Sequence, residues 1–252
     1  MARPRKKLKI LLIEPNYSNK YPPIGLMKLS TYHKMLGHEV VFYKGDLKQF
    51  VIERIASKCI DEFYKIDESV NWNLYKDLFV EYIRTKRKDF LSQIPISSTN
   101  MEILLTDKIN QFKDCYWKKS WEKEPEWDRV FVTTLFTFYW RITIDTINFA
   151  KKLVKDTKNM MVGGVLATIQ AKEVYEATGI KPFEGILNKP GQLDKGNHLI
   201  IDNLPLDYSI LDEIEYKYPM NNAYYGYTTR GCIRKCPFCA VPKLEPVYNS
   251  YI

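Results

Sequence analysis

The sequence predicts an α/β chain built on an open, doubly wound parallel sheet with a helical insertion. Two observations carry that prediction. Short apolar runs alternate with segments of helical periodicity across short connections, and one long polar, aromatic-rich stretch interrupts the alternation once. Leu8 to Ile13 is a continuous Ile- and Leu-rich run, as expected of a parallel strand buried on both faces. A turn over Glu14 to Gly25 leads into Leu26, Leu29, Tyr32 and Leu36 at helical spacing, and Gly37 stands where a left-handed cap closes a helix. Val40 to Tyr43 is the next strand, which completes a right-handed βαβ unit.

From about residue 46 to 127 the rhythm changes to Lys, Glu, Asp and bulky aromatics, with apolar pairs such as Leu74/Leu78 and Ile109/Phe112 at helical intervals. This is the helical insertion, and Trp72, Trp117, Trp121 and Trp127 are assigned to packing ahead of a binding surface. The alternation resumes with a strand over Val130 to Phe138 and a helix marked by Ile144, Ile147 and Val154. A strand over Met160 to Val162 follows, ending in Gly163-Gly164, and then a helix over Thr168 to Thr178 closed by Gly179. Phe183 to Leu187 and His198 to Ile201 are two further strand candidates. Residues 1 to 201 are expected to form this first domain, 202 to 223 a linker, and 224 to 252 the beginning of a second domain. Tyr224 to Thr228 is its first strand.

Composition narrows the function. The 252 residues are 45% hydrophobic and 27% charged, which excludes disordered and collagen-like classes. The net charge of +8 is concentrated at the start, where Arg3, Arg5, Lys6, Lys7 and Lys9 fall within nine residues. Nothing downstream forms a basic stripe, so nucleic acid is not expected as a partner. No apolar run is long enough to span a bilayer, and Glu14-Pro15 cuts the first one too short for a signal peptide, so no membrane partner is expected. Five cysteines, three of them packed into Cys232 to Cys239, do not make a disulfide framework and point to a reducing, cytoplasmic compartment. Neither a phosphate-binding glycine loop nor a nucleophile elbow is present.

The strongest chemical signal is Arg230-Gly231-Cys232-Ile233-Arg234-Lys235-Cys236-Pro237-Phe238-Cys239. Thiolates two and three residues apart on a Gly- and Pro-containing loop can converge on one metal centre. Zinc would want a fourth ligand, whereas a four-iron cluster on three cysteines leaves one iron open to a substrate. Arg230, Arg234 and Lys235 are expected to stabilise the thiolates electrostatically. Cys59 and Cys115, in the insertion, are read as buried small hydrophobes, and His198 as a histidine at a strand edge. At the carboxyl ends of the strands, Glu14 to Asn16, Thr133-Thr134 and Gly163-Gly164 are the candidate ligand-binding loops. Glycine pairs also occur simply to turn a strand into a helix.

With Cys232, Cys236, Phe238 and Cys239 in place, the chain resembles the radical S-adenosylmethionine enzymes, whose signature is CxxxCx(aromatic)C. The resemblance implies a 4Fe-4S cluster on Cys232, Cys236 and Cys239, S-adenosylmethionine on the open iron, and Phe238 against the adenine. It further implies reductive cleavage to a 5′-deoxyadenosyl radical, an electron donor such as flavodoxin or ferredoxin, and a small-molecule substrate of unspecified class. The earlier part, through Pro22-Pro23-Ile24-Gly25-Leu26, Gly37-His38-Glu39-Val40 and Gly163-Gly164, resembles the Rossmann-like cobalamin-binding domain that precedes the barrel in one subgroup. That match implies cobalamin as a further cofactor, with Asn16, Gly163 and Gly164 toward it. The Asp-x-His-x-x-Gly motif of a cobalamin ligand is absent, so His33, His38 and His198 are not assigned that role. The family's partial (βα) barrel would begin at residue 224, so the chain is expected to be the front part of a longer protein, a truncated gene product or one half of a split enzyme completed by a second chain. The alternative is a non-catalytic zinc or iron–sulfur module with a basic, nucleic-acid-binding tail.

Overall fold

The computed structural model describes residues 6–95, 99–220 and 222–251. Arg3 and Arg5 of the basic start therefore lie outside the described residues.

Strand β1 (Lys9–Glu14) is followed by helix α1 (Ile24–Met35) and strand β2 (Glu39–Lys44). Ile10 to Ile13 have no exposed surface, which is why four consecutive apolar residues are tolerated. Helix α1 ends in a left-handed cap: Gly37 has φ +77, and the amides of Gly37 and His38 return to the carbonyls of Lys34 and His33. Helices α2 (Leu47–Ile66), α3 (Lys76–Thr85) and α4 (Thr99–Trp117) come next. Strand β3 (Arg129–Thr134), helix α5 (Trp140–Ala150) and strand β4 (Met160–Gly164) complete the sheet. Two short helices follow, α6 (Val165–Ile169) and α7 (Ala171–Thr178), and Gly179 at φ +71 closes the second. The chain ends with β5 (Thr229–Arg230), the one-turn helix α8 (Val241–Leu244) and β6 (Asn249–Ser250).

The sheet is α/β, Rossmann-like and all parallel, in the order β2-β1-β3-β4. Its first crossover runs one way from β1 and its second the other, so β1 and β3 flank the switch point. Ile10, Leu12, Phe42 and Phe131 pack with Leu26, Met27 and Tyr32 of α1. Helix α5 buries Thr143, Thr146, Ile147 and Ala150.

The chain divides into two compact units, one of residues Met1–Gly45 and Glu126–Ile252 and the other of residues Asp46–Pro125. In the helical unit α2 buries Phe50, Val51, Ile55, Cys59 and Phe63 at helical spacing. Phe63 lies 5.2 Å from both the Trp72 and the Phe79 rings. Trp72 and Trp127 are buried, and Trp117 stays half exposed with its Nε1 donating to the Ile83 carbonyl. Cys59 is fully buried, and burial pushes its thiol up. Cys115 is half-buried. Among the described residues no helix is long and apolar enough to cross a membrane.

Several expected elements differ. Phe183 to Leu187 is not a strand, because Pro182 removes a donor and Gly185 turns to φ +82, and His198 to Ile201 runs instead into a 3-10 turn at Ile201–Asn203. Leu187, Leu199 and Ile201 still cover the α1 side of the core, which explains their apolar character. His198 is exposed rather than at a strand edge. The strand from Val130 stops at Thr134. The expected single helix over Thr168 to Thr178 is broken at Gln170 (φ −117, ψ 45). Tyr224 to Thr228 is irregular, and the short β5 that follows pairs antiparallel with β6.

Candidate functional site

The cysteine loop is built from its stems. Arg230 is 8% exposed, and its guanidinium is held on both sides. Nε and Nη2 donate to Glu245 Oε1 at 3.0 and 2.6 Å, and Nη1 donates to both oxygens of Asp202 at 2.5 Å. Lys28 of α1 donates to the same Asp202, at 2.9 Å to Oδ1. Burial works against the Arg230 charge, but Glu245 and Asp202 more than offset it and hold the guanidinium protonated. Burial also works against the Asp202 carboxylate, and Lys28 and Arg230 together hold it below its usual range. Two cations and two carboxylates thus balance within one network. The Arg230 hydrogen bonds go to Asp202 and Glu245 and not to a cysteine sulfur.

Gly231 follows at φ +72 and donates its N–H to Glu245 Oε2 at 2.8 Å. A Cβ at this position would stand 2.3 Å from the Val247 carbonyl oxygen, so only glycine lets the two stems pass.

Cys232, Cys236 and Cys239 are free and half-buried on the loop between the stems. The backbone N–H of Arg234 donates to Cys232 Sγ at 3.4 Å, and the Cys239 N–H closes a turn on the Cys236 carbonyl at 3.1 Å. Phe238 is 90% exposed at the tip. Among the described residues no group of three or more His, Cys, Asp or Glu side chains is drawn together as a metal site. The three thiols therefore share one clasped loop without converging on a centre in this conformation. The donor chemistry fits an iron–sulfur cluster with one open iron: three soft ligands at short spacing, with a backbone amide already directed at one sulfur.

A cavity of about 380 Å³ opens at the carboxyl ends of the parallel strands. Pro22 to Leu26 at the start of α1, Thr133 and Thr134 at the end of β3, and Gly163 and Gly164 at the end of β4 line it, together with Phe131, Met161, Phe183 and Leu187. Its walls are mostly apolar and its size is that of a small-ligand site. Gly164 (φ +110) is obligatory, because a Cβ would stand 2.3 Å from the Thr134 carbonyl oxygen. Thr134 Oγ1 donates to the Gly163 carbonyl and accepts from the Ala167 N–H, each at 3.0 Å, which fixes this rim. Lys28, Asp202, Arg230 and Glu245 form one wall, so the cavity and the cysteine loop share the same charged network.

Of the three strand-end loops expected to bind a ligand, those of Thr133-Thr134 and Gly163-Gly164 meet at this cavity. Asn16 is exposed and is not among its lining residues. Glu14 is buried beside Lys44, in a polar knot that fills the ends of β1 and β2. Sequence reasoning missed Asp202, Glu245 and Lys28, none of which stands in a motif. The one available signal was an arginine directly before a glycine and a cysteine.

Comparison with protein-family models, curated proteins and solved structures finds no match to this chain.

Proposed function

We propose that the chain is an iron–sulfur protein of radical S-adenosylmethionine type, with a Rossmann-like domain of cobalamin-binding ancestry ahead of the start of a partial (βα) barrel. The observation that carries this reading is the Cys232, Cys236, Cys239 spacing on a loop whose stems are clasped by Glu245. In this reading Cys232, Cys236 and Cys239 would hold a 4Fe-4S cluster with one iron left open to S-adenosylmethionine. With one electron from a donor such as flavodoxin or ferredoxin, a cluster held there would supply reductive cleavage of S-adenosylmethionine and so radical chemistry.

The residues of this chain bind and orient. The Arg234 amide is placed to donate to a thiolate at Cys232, and the exposed Phe238 ring is free to lie against a flat base. The apolar cavity at Gly163 and Gly164 takes part of a small molecule, with cobalamin the candidate the ancestry suggests. No histidine of the chain is assigned as its ligand. A reducing, cytoplasmic setting accords with five free cysteines.

Anaerobic reconstitution with iron and sulfide tests the reading. About four irons per chain are expected, with a cubane electron paramagnetic resonance signal that changes on adding S-adenosylmethionine. One tightly bound zinc per chain, or a signal indifferent to S-adenosylmethionine, would overturn it in favour of a structural metal module. Titration with hydroxocobalamin tests the cavity separately, and no binding at high micromolar ligand would leave only the fold in common with cobalamin-binding domains.

A further inference from the structure

Glu245 lies six residues beyond the last cysteine, outside the signature, yet it closes the loop that carries the signature. One of its oxygens takes Nε and Nη2 of Arg230, and the other takes the N–H of Gly231 at 2.8 Å. Both contacts are to the residues that enter the loop, so this carboxylate joins the end of the loop to its beginning. The stems are also in backbone register, since Thr229 and Arg230 pair with Ser250 and Asn249. Asp202 carries the clasp onward to Lys28 of α1, so the loop entrance is fixed against the sheet as well as against its own exit. Between the stems the three thiols have little to hold them. Among the described residues the thiols take one hydrogen bond, from the Arg234 amide to Cys232, and the backbone between the other two closes one turn from the Cys239 N–H to the Cys236 carbonyl.

We infer that Glu245 is a positioning residue for the cysteine loop, acting through Arg230 and Gly231 to set how closely Cys232 approaches Cys236 and Cys239. The inference rests on the proposed function for its consequence, though not for its geometry. A carboxylate that takes a guanidinium edge on one oxygen and a backbone N–H on the other fixes direction as well as distance. Groups that orient metal ligands change metal affinity by about 10- to 100-fold when they are removed.

The test compares Glu245→Ala and Glu245→Gln with the unmodified full chain. In the metal-free protein, alkylation by iodoacetamide is followed cysteine by cysteine. Glu245→Ala is expected to speed reaction at Cys232 several-fold while Cys59 stays protected. Glu245→Gln, which keeps the length and one acceptor oxygen, should fall between the two. After anaerobic reconstitution, Glu245→Ala should lose iron to a chelator about ten-fold faster, with a shifted electron paramagnetic resonance spectrum. If alkylation rates, iron loss and spectrum are all unchanged in Glu245→Ala, the inference is overturned while the proposed function stands. If alkylation responds but the unmodified chain takes up no iron, the clasp stands and the proposed function fails. Loss of the folded state in Glu245→Ala transfers the decision to Glu245→Gln, whose Cys232 rate must exceed that of the unmodified chain for the inference to hold.

Discussion

Lys44 Nζ lies 3.1 Å from Glu14 Oε2, with both side chains 1% exposed, at the register-paired last residues of β2 and β1. All three ammonium protons are used, since Lys44 also donates to the Tyr17 carbonyl at 2.9 Å and to Asn19 Oδ1 at 2.6 Å. Glu14 accepts from Asn19 at 2.9 Å and from the Tyr218 hydroxyl. Burial raises the Glu14 carboxyl and lowers the Lys44 amine, in each case against the pull of the other. Such a pair adds little over an apolar substitute, but breaking it strands a charge in the core. Glu14→Gln and Lys44→Met should each cost about 3–5 kcal/mol, and the double variant much less than their sum. Urea denaturation of the four proteins checks this, and simple additivity would contradict it.

His33 supplies a pH dependence. Its ring is fully buried 5.2 Å from Phe131, neither nitrogen has a hydrogen-bond partner among the described residues, and burial followed by Arg129 lowers its pKa from 6.5 to about 3. The unfolded chain takes up this proton near pH 6.5 and the folded chain refuses it until about pH 3. Its contribution therefore leaves stability untouched above pH 6.5 and erodes it below, by up to about 1.4 kcal/mol per pH unit. His33→Leu should flatten the difference in denaturation midpoint between pH 7 and pH 5. Parallel curves for variant and parent would show that the ring finds a proton acceptor.

These two sites mark what the sequence could reveal. The uninterrupted run Ile10 to Ile13 identifies β1, and Gly37 and Gly179 announce helix ends, because burial on both faces and a left-handed cap each demand particular residue types. Leu187, Leu199 and Ile201 misled because an apolar residue that covers the core from an irregular segment looks like one in a strand. The three cysteines stood out as candidates from their spacing alone. The Asp202, Arg230 and Glu245 network did not, because its members meet only after the chain has folded across dozens of residues, and no local pattern records such a meeting.

Gly231 and Gly179 share a left-handed backbone but differ in surroundings, which makes them a controlled pair. Nothing lies within 4 Å of a Cβ at Gly179, whereas one at Gly231 meets the Val247 carbonyl oxygen at 2.3 Å and that of Glu245 at 3.0 Å. Gly179→Ala should cost only the conformational penalty of about 1–2 kcal/mol. Gly231→Ala should pay that and also part the stems, because both obstacles are backbone. Hydrogen exchange at Gly231 and Tyr251, whose amides bond Glu245 and the Thr228 carbonyl, should quicken in Gly231→Ala and stay unchanged in Gly179→Ala. Equal protection in both would mean that the stems tolerate a wider passage.

Cys236 separates the chemistry of the loop from the stability of the sheet. Its thiol is half-buried between an exposed Lys235 and an exposed Pro237, and it takes no part in the core of α1 and the sheet. Removing it deletes one of three proposed iron ligands while leaving the Arg230 and Gly231 contacts to Glu245 intact. Cys236→Ala should therefore leave the metal-free unfolding free energy within about 0.5 kcal/mol of the parent. After reconstitution its iron content should fall to background, since two thiolates do not retain a cubane. Global unfolding of the variant would mean that the loop is part of the core, and full iron retention would mean that Cys236 is not a ligand.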